Sequence, residues 1–410
     1  MRHDADVLIA GGGLNGSLMA LALAAAGTGL RVSVLDALEV APRASADFDG
    51  RAYALALASV RMLQALGLWE ALEEDAQPIL RVEAADARPG EAPSGLALVL
   101  DHAEIEEGPL GHMIEDRHLR RLLLQAMAEA EGVEHLPGAE IVAQAVDRHG
   151  VTVELADGQV LTGRLLLGCD GRASGTARRA GIRRVSWSYG QTALVCAVAH
   201  ARPHEGVARQ VFLPAGPVAL LPLPGDRSAV VWTEREAAAA EIARLDDAGY
   251  LAALQARIGG VLGEMRLEGG RWSYPLGLSL AQDFVAERVA LVGDAAHGIH
   301  PIAGQGLNLG FRDIAALAEV LAEAARRGED IAAPLVLARY GQWRRFDAVA
   351  MALATDGFNR LFSNDSGLLR VARDLGMAAA GSVPALRRFF MREAAGLTGT
   401  VPRLMQGRAI

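Results

Sequence analysis

The order of apolar and polar positions predicts an α/β unit at the start of the chain. An apolar run from Asp6 to Ala10 leads into a cluster of glycines, and an apolar stretch from Leu14 to Ala26 follows. A second short apolar run covers Arg31 to Leu35, and a third covers Arg164 to Gly168. Short apolar runs bounded by turns are typical of buried parallel strands, and the longer stretch suits a helix.

The middle of the chain predicts a second kind of sheet. From about residue 182 to residue 275, short strands alternate with Pro and Gly turns, which indicates a mostly antiparallel arrangement. The predicted strands are Gln191 to Ala199, Arg209 to Leu213, Val218 to Pro222 and Ser228 to Thr233. One helix, from Glu236 to Ile258, is predicted to back them. Few charges occur from Val207 to Leu223, which favours an apolar cavity wall, although a strand buried for packing alone would look the same.

Two further helices are predicted from Asp116 to Ala130 and from Gly306 to Arg326, and the chain after Arg326 is expected to be entirely helical. The segment from Ser366 to Ile410 carries seven arginines and two acids, net +5 against -9 for the whole chain. Within it, the run from Arg387 to Arg392 mixes basic and large apolar residues, so it can meet an anionic membrane surface or a partner, or simply pack Phe389 inward.

The first apolar stretch can be interpreted as a targeting segment or as part of the folded protein. Val7 to Leu30 is uncharged and follows Arg2, as in a secretory signal or a membrane span. Glycines at 11, 12, 13 and 16 interrupt its first half, and this favours a strand, a turn and a helix. No other run is long and apolar enough to span a bilayer, so the chain is expected to be cytoplasmic.

Composition narrows the function classes. The chain has 410 residues, 51% hydrophobic and 22% charged, which excludes a disordered chain, a collagen-like repeat and a small disulfide scaffold. A net charge of -9 argues against nucleic acid as the main partner. Its two cysteines form no CxxC motif, and it contains no lysine, since all 40 basic residues are arginine. A structural zinc site, a redox dithiol, a Schiff-base lysine and a P-loop are therefore excluded.

The first glycine cluster has the pattern of a dinucleotide site. Gly11, Gly13 and Gly16 form GxGxxG between the first strand and the first helix, and Asp36 follows the second strand about 20 residues later. Gly11 permits the tight turn, Gly13 lets the backbone approach a pyrophosphate, and Gly16 lets the helix pack on the strand. The free N–H groups of the helix start hold the phosphate charge, and the acid bonds a ribose. This motif does not distinguish NAD from FAD.

Two later motifs favour FAD. One strand leads into Cys169-Asp170-Gly171, and another leads into Gly293-Asp294. The second motif continues through a glycine-rich turn into a helix, where backbone N–H groups can stabilise negative charge on a reduced ring. A ligand contacted from both ends of the chain must be long, and FAD is.

These motifs together resemble the class A flavoprotein aromatic hydroxylases, in particular their ubiquinone-biosynthesis branch of polyprenyl-phenol hydroxylases. The resemblance rests on GGGLNG, D-x-R, CDGxxS, DGRAYALA with GLW, GHMIEDRHLRRLL, and GDAAHGIHPIAGQGLNLGFRD followed by RRGEDI and RYGQWRR. It covers nearly the whole chain, and the last glycine-rich stretch is its most specific part.

The resemblance implies a set of FAD-binding residues. The ADP half would meet the opening turn and Asp36, the pyrophosphate and ribityl region would meet the arginines and Asp294, and the isoalloxazine would meet the backbone N–H groups of Leu307 and Asn308. Asp170 and Gly171 would serve both FAD and NAD(P)H. The full expected set is Gly11, Gly13, Leu14, Asn15, Gly16, Asp36, Arg51, Arg117, Asp170, Gly171, Asp294, Pro301, Gly304, Gly306, Leu307 and Asn308.

Several of these residues also have plain structural interpretations. Arg51 can be a surface arginine at a helix start, Arg117 can belong to a solvated basic face, and Asp294 can be a helix cap. The family's DGxxSxxR places an arginine where this chain has Ala177, so nicotinamide contacts there are in doubt. Three further groups of residues are expected to have no chemical role. His297 and His300 lack partners for a metal site, Cys169 and Cys196 are taken as inert buried thiols, and Trp187, Trp232 and Trp272 as core or cavity wall.

The resemblance also implies the architecture. We expect an α/β (overall α+β) chain with a discontinuous Rossmann-like FAD-binding domain at residues 1–75, 98–181 and 270–330. A mostly antiparallel β-sheet domain for the substrate is expected at 76–97 and 182–269, and a helical C-terminal region at 331–410.

The expected function is hydroxylation of a polyprenyl-phenol of ubiquinone biosynthesis. FAD would be reduced by NAD(P)H as co-substrate, O₂ would form a hydroperoxide at flavin carbon C4a, and the distal oxygen would attack the phenol ring. No catalytic acid or base is predicted. The alternatives are an FAD-dependent isoprenoid reductase or dehydrogenase, and a non-catalytic flavoprotein subunit of a quinone-biosynthesis assembly. The C-terminal helices are the expected place for peripheral contact with the inner face of the membrane or with such a complex.

Overall fold

A computed structural model describes residues 3–40, 45, 47–88, 97–364 and 382–410. In chain order, the strands are β1 (Ala5–Ala10), β2 (Val32–Asp36), β3 (Ala52–Ala56), β4 (Gln77–Ile79), β5 (Arg81–Asp86), β6 (Leu98–Asp101), β7 (Gly111–Glu115), β8 (Val133–Pro137), β9 (Ile141–Val146), β10 (Val151–Leu155), β11 (Val160–Gly168), β12 (Arg184–His200), β13 (Val207–Leu213), β14 (Gly216–Leu223), β15 (Arg227–Arg235), β16 (Met265–Ala281), β17 (Val285–Ala286), β18 (Val289–Leu291) and β19 (His297–Gly298). The α-helices are α1 (Leu14–Ala25), α2 (Leu57–Ala65), α3 (Asp116–Glu129), α4 (Gly175–Arg179), α5 (Glu236–Ala243), α6 (Asp247–Ile258), α7 (Gln305–Arg326), α8 (Pro334–Phe362) and α9 (Pro384–Ala394).

The first sheet has a parallel centre in the order β18-β11-β1-β2-β8, with β17 antiparallel at one edge and the β9–β10 hairpin paired to β11. The predicted buried strands at the start of the chain are confirmed, since β2 is wholly buried and β1 nearly so. Ala10 pairs with Leu35 and with Gly168. The carboxyl ends of β1, β2 and β11 therefore meet at one edge, where ligands bind in open parallel sheets.

The second sheet has the order β19-β16-β12-β15-β14-β13-β5-β6 and is antiparallel except where β13 meets β5. The predicted single helix behind it is wrong, because α5 and α6 are separate helices. The Asp246 side chain lies between the two helices and caps the start of α6, because it accepts a hydrogen bond from the Gly249 N–H at 2.8 Å. Trp232, Tyr250 and Leu254 form part of the core between this sheet and α6.

The domain boundaries remain a proposal, and the pairing of two strands favours other positions for two of them. The second sheet also takes Leu98–Asp101 as its edge, and β16 pairs with β12 as far as Ala281. The predicted ends at 97 and 269 cut both pairings, because a strand belongs to the sheet that supplies its hydrogen bonds. A small third sheet, β3-β7-β4, is formed by strands that precede β5 and follow β6 in sequence.

The C-terminal region contains α8 and α9, but the prediction of an entirely helical tail is wrong. After α9 only a short 3₁₀ turn at Leu404–Gln406 is helical. Residues 365–381, part of the basic tail segment, lie outside the described residues. Within the described ranges, we find no helix with the length and apolar character needed to cross a membrane.

Candidate cofactor site

The opening glycine turn accepts only glycine at two positions. Gly11 has a φ of +98°, and a Cβ built there would lie 2.7 Å from the Cys169 carbonyl oxygen. A Cβ on Gly16 would lie 1.8 Å from the Gly11 carbonyl oxygen. Gly13 precedes α1 without a side-chain cap, and the first turn of α1, which begins at Leu14, carries no acid. The N–H groups of this turn are thus arranged for an anionic ligand.

Asp36 lies directly against that turn. It is the last residue of β2 and is buried. A Cβ on Gly12 would come within 2.4 Å of the Asp36 Oδ2 atom, so the glycine permits this approach. The other carboxylate oxygen accepts the Leu38 N–H at 3.2 Å, and the His135 Nε2 atom lies 3.8 Å from Oδ2. The acid that the spacing predicted, Asp36, therefore lies beside the glycine turn in the structure.

Asn15 connects the beginning of the chain to the second glycine motif. A Cβ on Gly293, which has a φ of +63°, would lie 2.1 Å from the Asn15 Nδ2 atom, and a Cβ on Gly310 would lie 2.9 Å from it. The Asn15 Oδ1 atom is buried with no hydrogen-bond partner among the described residues. The structure thus brings together three segments that are far apart in sequence.

Asp294 follows Gly293 in a 3₁₀ turn and is half-buried. The turn is held through its backbone, because Arg184 donates to the Asp294 carbonyl oxygen at 3.1 Å and also to the Ala295 carbonyl. Arg184 in turn donates to Ser279 Oγ at 3.0 Å. No hydrogen bond from the described part of the chain engages the Asp294 carboxylate, which leaves it free to bind a hydroxyl group. Sequence inspection did not single out Arg184, which lies in a run of basic residues.

The start of α7 forms a second anion-binding turn. Gly304 precedes α7 with a φ of +63° and offers no side-chain cap, and its own N–H bonds to the Pro301 carbonyl at 2.9 Å. As the second and third residues of α7, Gly306 and Leu307 have N–H groups with no carbonyl acceptor within the helix. Their contact with the isoalloxazine ring stays a prediction.

Asn308 is the fourth residue of α7, and its backbone contact with the ring stays a prediction. Its side chain has a separate structural role. Its side chain accepts from the Ala56 N–H and from Ser59 Oγ, both at 2.8 Å, and donates to the Ala54 carbonyl at 2.9 Å. Asn308 thus fixes the turn between β3 and α2 against α7.

Both predicted arginines are held by carboxylates. Arg51 lies 2.6 Å from Asp49 and 3.3 Å from Asp116, with its guanidinium 5.2 Å from the centre of the Trp272 ring. Arg117 lies 2.7 Å from Glu115. Each side chain remains about one-third exposed, 34% and 29% respectively. Their contact with a pyrophosphate stays a prediction.

The Asp170-Gly171 motif has a clear structural role. Asp170 accepts from Ser174 Oγ at 2.5 Å and from the Thr176 N–H at 2.8 Å, which organises the start of α4. Gly171 has a φ of +75° and open space where a side chain would be. Ala177, where the family has an arginine, is fully buried in α4. That position therefore contributes to the core and cannot contact a nicotinamide.

His300 and Tyr189 form an aromatic contact that the sequence did not predict. His300 is fully buried, and burial lowers its pKa to about 4, so its imidazole is neutral at pH 7. Its ring packs edge-on against Tyr189 at 5.3 Å. Tyr189 lies in an irregularity of β12, where the pairing with β16 shifts between Ser188 and Gln191. Such bulges redirect side chains and often occur beside active sites.

Tyr189 is also one of the residues that line a cleft of about 460 Å³. Its volume is within the range of roughly 300–1,000 Å³ typical of small-molecule sites. Hydrogen bonds join its walls, since Gln191 donates to the Ala215 carbonyl and accepts from Asn359. The lining residues are Trp187, Ser188, Tyr189, Gly190, Gln191, Pro214, Ala215, Arg235, Asn359, Arg360 and Ser363.

The tryptophans and cysteines singled out in the sequence differ in how far they are buried. Trp232 is fully buried, whereas Trp272 is 38% exposed. Both cysteines are free, and burial raises the pKa of the Cys196 thiol to about 11. Among the described residues, no group of three or more His, Cys, Asp or Glu side chains is arranged to hold a metal ion.

Comparison with known proteins gives a family match over most of the chain. The family described as "FAD binding domain" matches residues 4–354. The ubiquinone hydroxylase UbiL of Rhodospirillum rubrum is 44% identical over 407 residues, which covers 98% of this chain and 93% of that protein. The 3-demethoxyubiquinol 3-hydroxylase of Escherichia coli is 35% identical, covering 96% of this chain and 98% of that protein.

The fold is also shared with solved structures. The p-nitrophenol 4-monooxygenase PnpA of Pseudomonas putida superposes with a TM-score of 0.79 at 21% identity, covering 98% of this chain and all of that one. At this level of identity the likeness concerns the fold.

Proposed function

The chain belongs to the FAD-binding-domain family together with the ubiquinone hydroxylases, and on this premise we propose that it is an FAD-dependent monooxygenase of ubiquinone biosynthesis that hydroxylates the aromatic ring of a polyprenyl-phenol. The observation that carries the proposal is the end-to-end similarity to a ubiquinone hydroxylase combined with the meeting of Asn15, Gly293 and Gly310 in one site. A site built from both ends of a chain suits one long cofactor.

The described residues fit FAD. The uncapped start of α1 would hold the pyrophosphate, and Asp36 would hold the adenosine ribose. The free carboxylate of Asp294 would bind the ribityl chain, and the first turn of α7 would face the ring. When bound, FAD supplies the activation of O₂ and the transfer of one oxygen atom to the substrate.

The overall reaction balances with a nicotinamide reductant. One NAD(P)H, one O₂ and one proton convert the ring C–H to C–OH and release NAD(P)⁺ and water. The sequence has no second GxGxxG motif, which agrees with transient docking of NAD(P)H to the flavin domain. Asp170 already holds the start of α4, so the backbone at Gly171 is a more suitable contact for this co-substrate than the aspartate.

The cleft beside Tyr189 supports a place for the polyprenyl tail. It lies against the same Tyr189 that contacts His300, four residues before Gly304 and the start of α7. Trp187, Tyr189 and Pro214 offer apolar surface for an isoprenoid chain, while Arg235 and Arg360 make another part of the lining charged. The phenol ring would lie on the α7 side, where His300 is neutral at pH 7.

A peripheral membrane contact is the final part of the proposal. In α9, Arg387 lies 2.8 Å from Glu104 and Arg392 pairs with Glu107. Phe389 is 54% exposed, so the alternative that it packs inward is wrong. The outer side of α8 is more suitable, since it exposes 78% of Phe346 and 64% of Leu353. Flotation with phospholipid vesicles would test this, and a Leu353→Ser variant that floats as well as wild type would contradict it.

The function is tested with purified protein, FAD, NAD(P)H and a polyprenyl-phenol under ¹⁸O₂. We expect substrate-dependent oxidation of NAD(P)H and a product that contains one ¹⁸O atom. Anaerobic turnover to an oxygen-free product would indicate a reductase or dehydrogenase. FAD binding without any oxidation of NAD(P)H would indicate a non-catalytic subunit.

A further inference from the structure

A fully buried carboxylate connects three elements behind the Gly293-Asp294 turn. Asp313 lies on α7 and is completely buried. Its Oδ2 atom accepts the Gly293 N–H at 3.0 Å and lies 2.6 Å from His297 Nε2. Its Oδ1 atom accepts from Arg344 Nε at 2.8 Å. The residue before Asp294 is therefore oriented by a carboxylate that is itself held by the C-terminal helix α8.

Arg344 is unusual because its side chain is completely buried. Besides Asp313, it contacts Asp347 at 2.6 Å, and Asp347 also lies 3.3 Å from Arg312. Burial alone would raise the pKa of Asp313, but the charge and hydrogen bonds of His297 and Arg344 outweigh it and the pKa lies below its usual value. Asp313 is thus an ionised acceptor.

A second contact comes from the same face of α8. Tyr340 is four residues before Arg344, so the two side chains project from adjacent turns of the helix. The Tyr340 hydroxyl donates to the Leu291 carbonyl at 2.6 Å, at the end of β18. Tyr340 therefore fixes the strand that enters the turn, and Arg344, through Asp313, fixes the peptide of Gly293.

We propose that Tyr340 and Arg344 are positioning residues for FAD, which set the orientation of the Asp294 carboxylate and hence the affinity for the cofactor. This rests on the proposed function insofar as FAD is the ligand of Asp294. Neither residue touches the cofactor site directly in this arrangement. Their action passes through Leu291 and Asp313, so the C-terminal helix is part of the FAD site although the glycine motifs lie elsewhere.

The test is the dissociation constant of FAD for the apoprotein, with the visible spectrum of the bound flavin as a second readout. We expect Arg344→Met to weaken FAD binding at least about ten-fold, as supporting residues behind a ligand's direct contacts typically do at metal sites. Tyr340→Phe removes a single hydrogen bond, and we expect it to weaken FAD binding about three-fold. The visible bands of the bound flavin should shift in the same direction in both variants.

A matched arginine in the other unit separates positioning from general destabilisation. Arg257 pairs with Glu234 at 3.1 Å and packs over the Trp232 ring, behind the second sheet. We expect Arg257→Met to lower the melting temperature without changing FAD affinity. Arg344→Lys, which keeps the charge, should recover part of the affinity lost in Arg344→Met.

The outcomes distinguish this inference from the proposed function. If wild type binds FAD and hydroxylates its substrate, but Tyr340→Phe and Arg344→Met bind FAD as wild type does, the positioning role is refuted. An equal loss of affinity in Arg257→Met would refute it as well. If Arg344→Met does not fold, wild-type affinity in both Tyr340→Phe and Arg344→Lys refutes it. A wild-type protein that takes up no FAD would overturn the proposed function itself.

Discussion

Replacing Asn308 by alanine should loosen the turn between β3 and α2 from α7. The side chain of Asn308 satisfies the Ala56 N–H, the Ser59 hydroxyl and the Ala54 carbonyl, all at 2.8–2.9 Å. The residue is buried, so water does not replace these bonds without rearrangement. The substitution leaves one backbone donor and one backbone acceptor without a partner.

The expected loss follows from those two groups. An unsatisfied buried donor or acceptor costs about 1–3 kcal/mol, and the Ser59 hydroxyl can rotate to another acceptor, so we expect about 3 kcal/mol in total. An unfolding entropy of about 2.1 cal/mol/K per residue gives about 0.9 kcal/mol/K for cooperative unfolding of the whole chain. The melting temperature should therefore fall by roughly 3–4 °C.

Differential scanning calorimetry of the apoprotein measures this directly. Ser59→Ala is the matched control, because it removes one donor and leaves the bond from the Ala56 N–H to Asn308 intact. We expect the control to lose about 1 kcal/mol. An Asn308→Ala protein that melts with wild type, or a Ser59→Ala protein that melts as low as Asn308→Ala, would refute the assignment of Asn308 as a side-chain latch.

Three further predictions concern the glycine turn, the cleft and pH. Gly16→Ala should yield protein without bound flavin, because its Cβ would overlap the Gly11 carbonyl oxygen. The control Gly357→Ala places its Cβ where no atom lies within 4 Å, so it should keep its flavin, and the absorbance of the flavin bands measures both outcomes. Ala215→Trp should lower kcat/KM for a polyprenyl-phenol about ten-fold more than for its short-tailed analogue, and Ala143→Trp on β9 should affect neither; equal losses for both substrates would remove the cleft from the substrate path. Burial lowers the pKa of His300 to about 4 in the folded protein, whereas an unfolded histidine has a pKa of about 6.5. As pH falls from about 6.5 to 4, the unfolded chain therefore binds a proton that folded His300 does not, and the free energy of unfolding decreases over this range. From pH 7.5 to 5.5 wild type should lose about 1.3 kcal/mol that His300→Gln does not lose, and parallel denaturation curves for the two proteins at both pH values would contradict this.

The sequence predicted the parts of the site that depend on local geometry. Gly11, Gly16 and Asp36 follow rules of spacing between a strand, a turn and a helix, and the structure places them together. It did not reveal Asp313, Arg344 or Tyr189, because a buried ion pair or an aromatic contact depends on which elements pack together. The break between α5 and α6 was missed for another reason, since the apolar pattern continues across Asp246 although its side chain caps a new helix.

In the proposed assignment, the parallel sheet binds the cofactor and the antiparallel sheet binds the substrate. The parallel sheet and α7 carry the glycine turns and Asp294, and the antiparallel sheet carries Tyr189 and most of the cleft. Among the described residues, the polar contacts from the second sheet to these turns include the bond from Arg184 to the Asp294 carbonyl and the bond from Trp272 to the Asp49 carbonyl. The fold is shared, at 21% identity, with the p-nitrophenol 4-monooxygenase PnpA. A shared fold does not set the substrate, because function lies in the site that a fold carries.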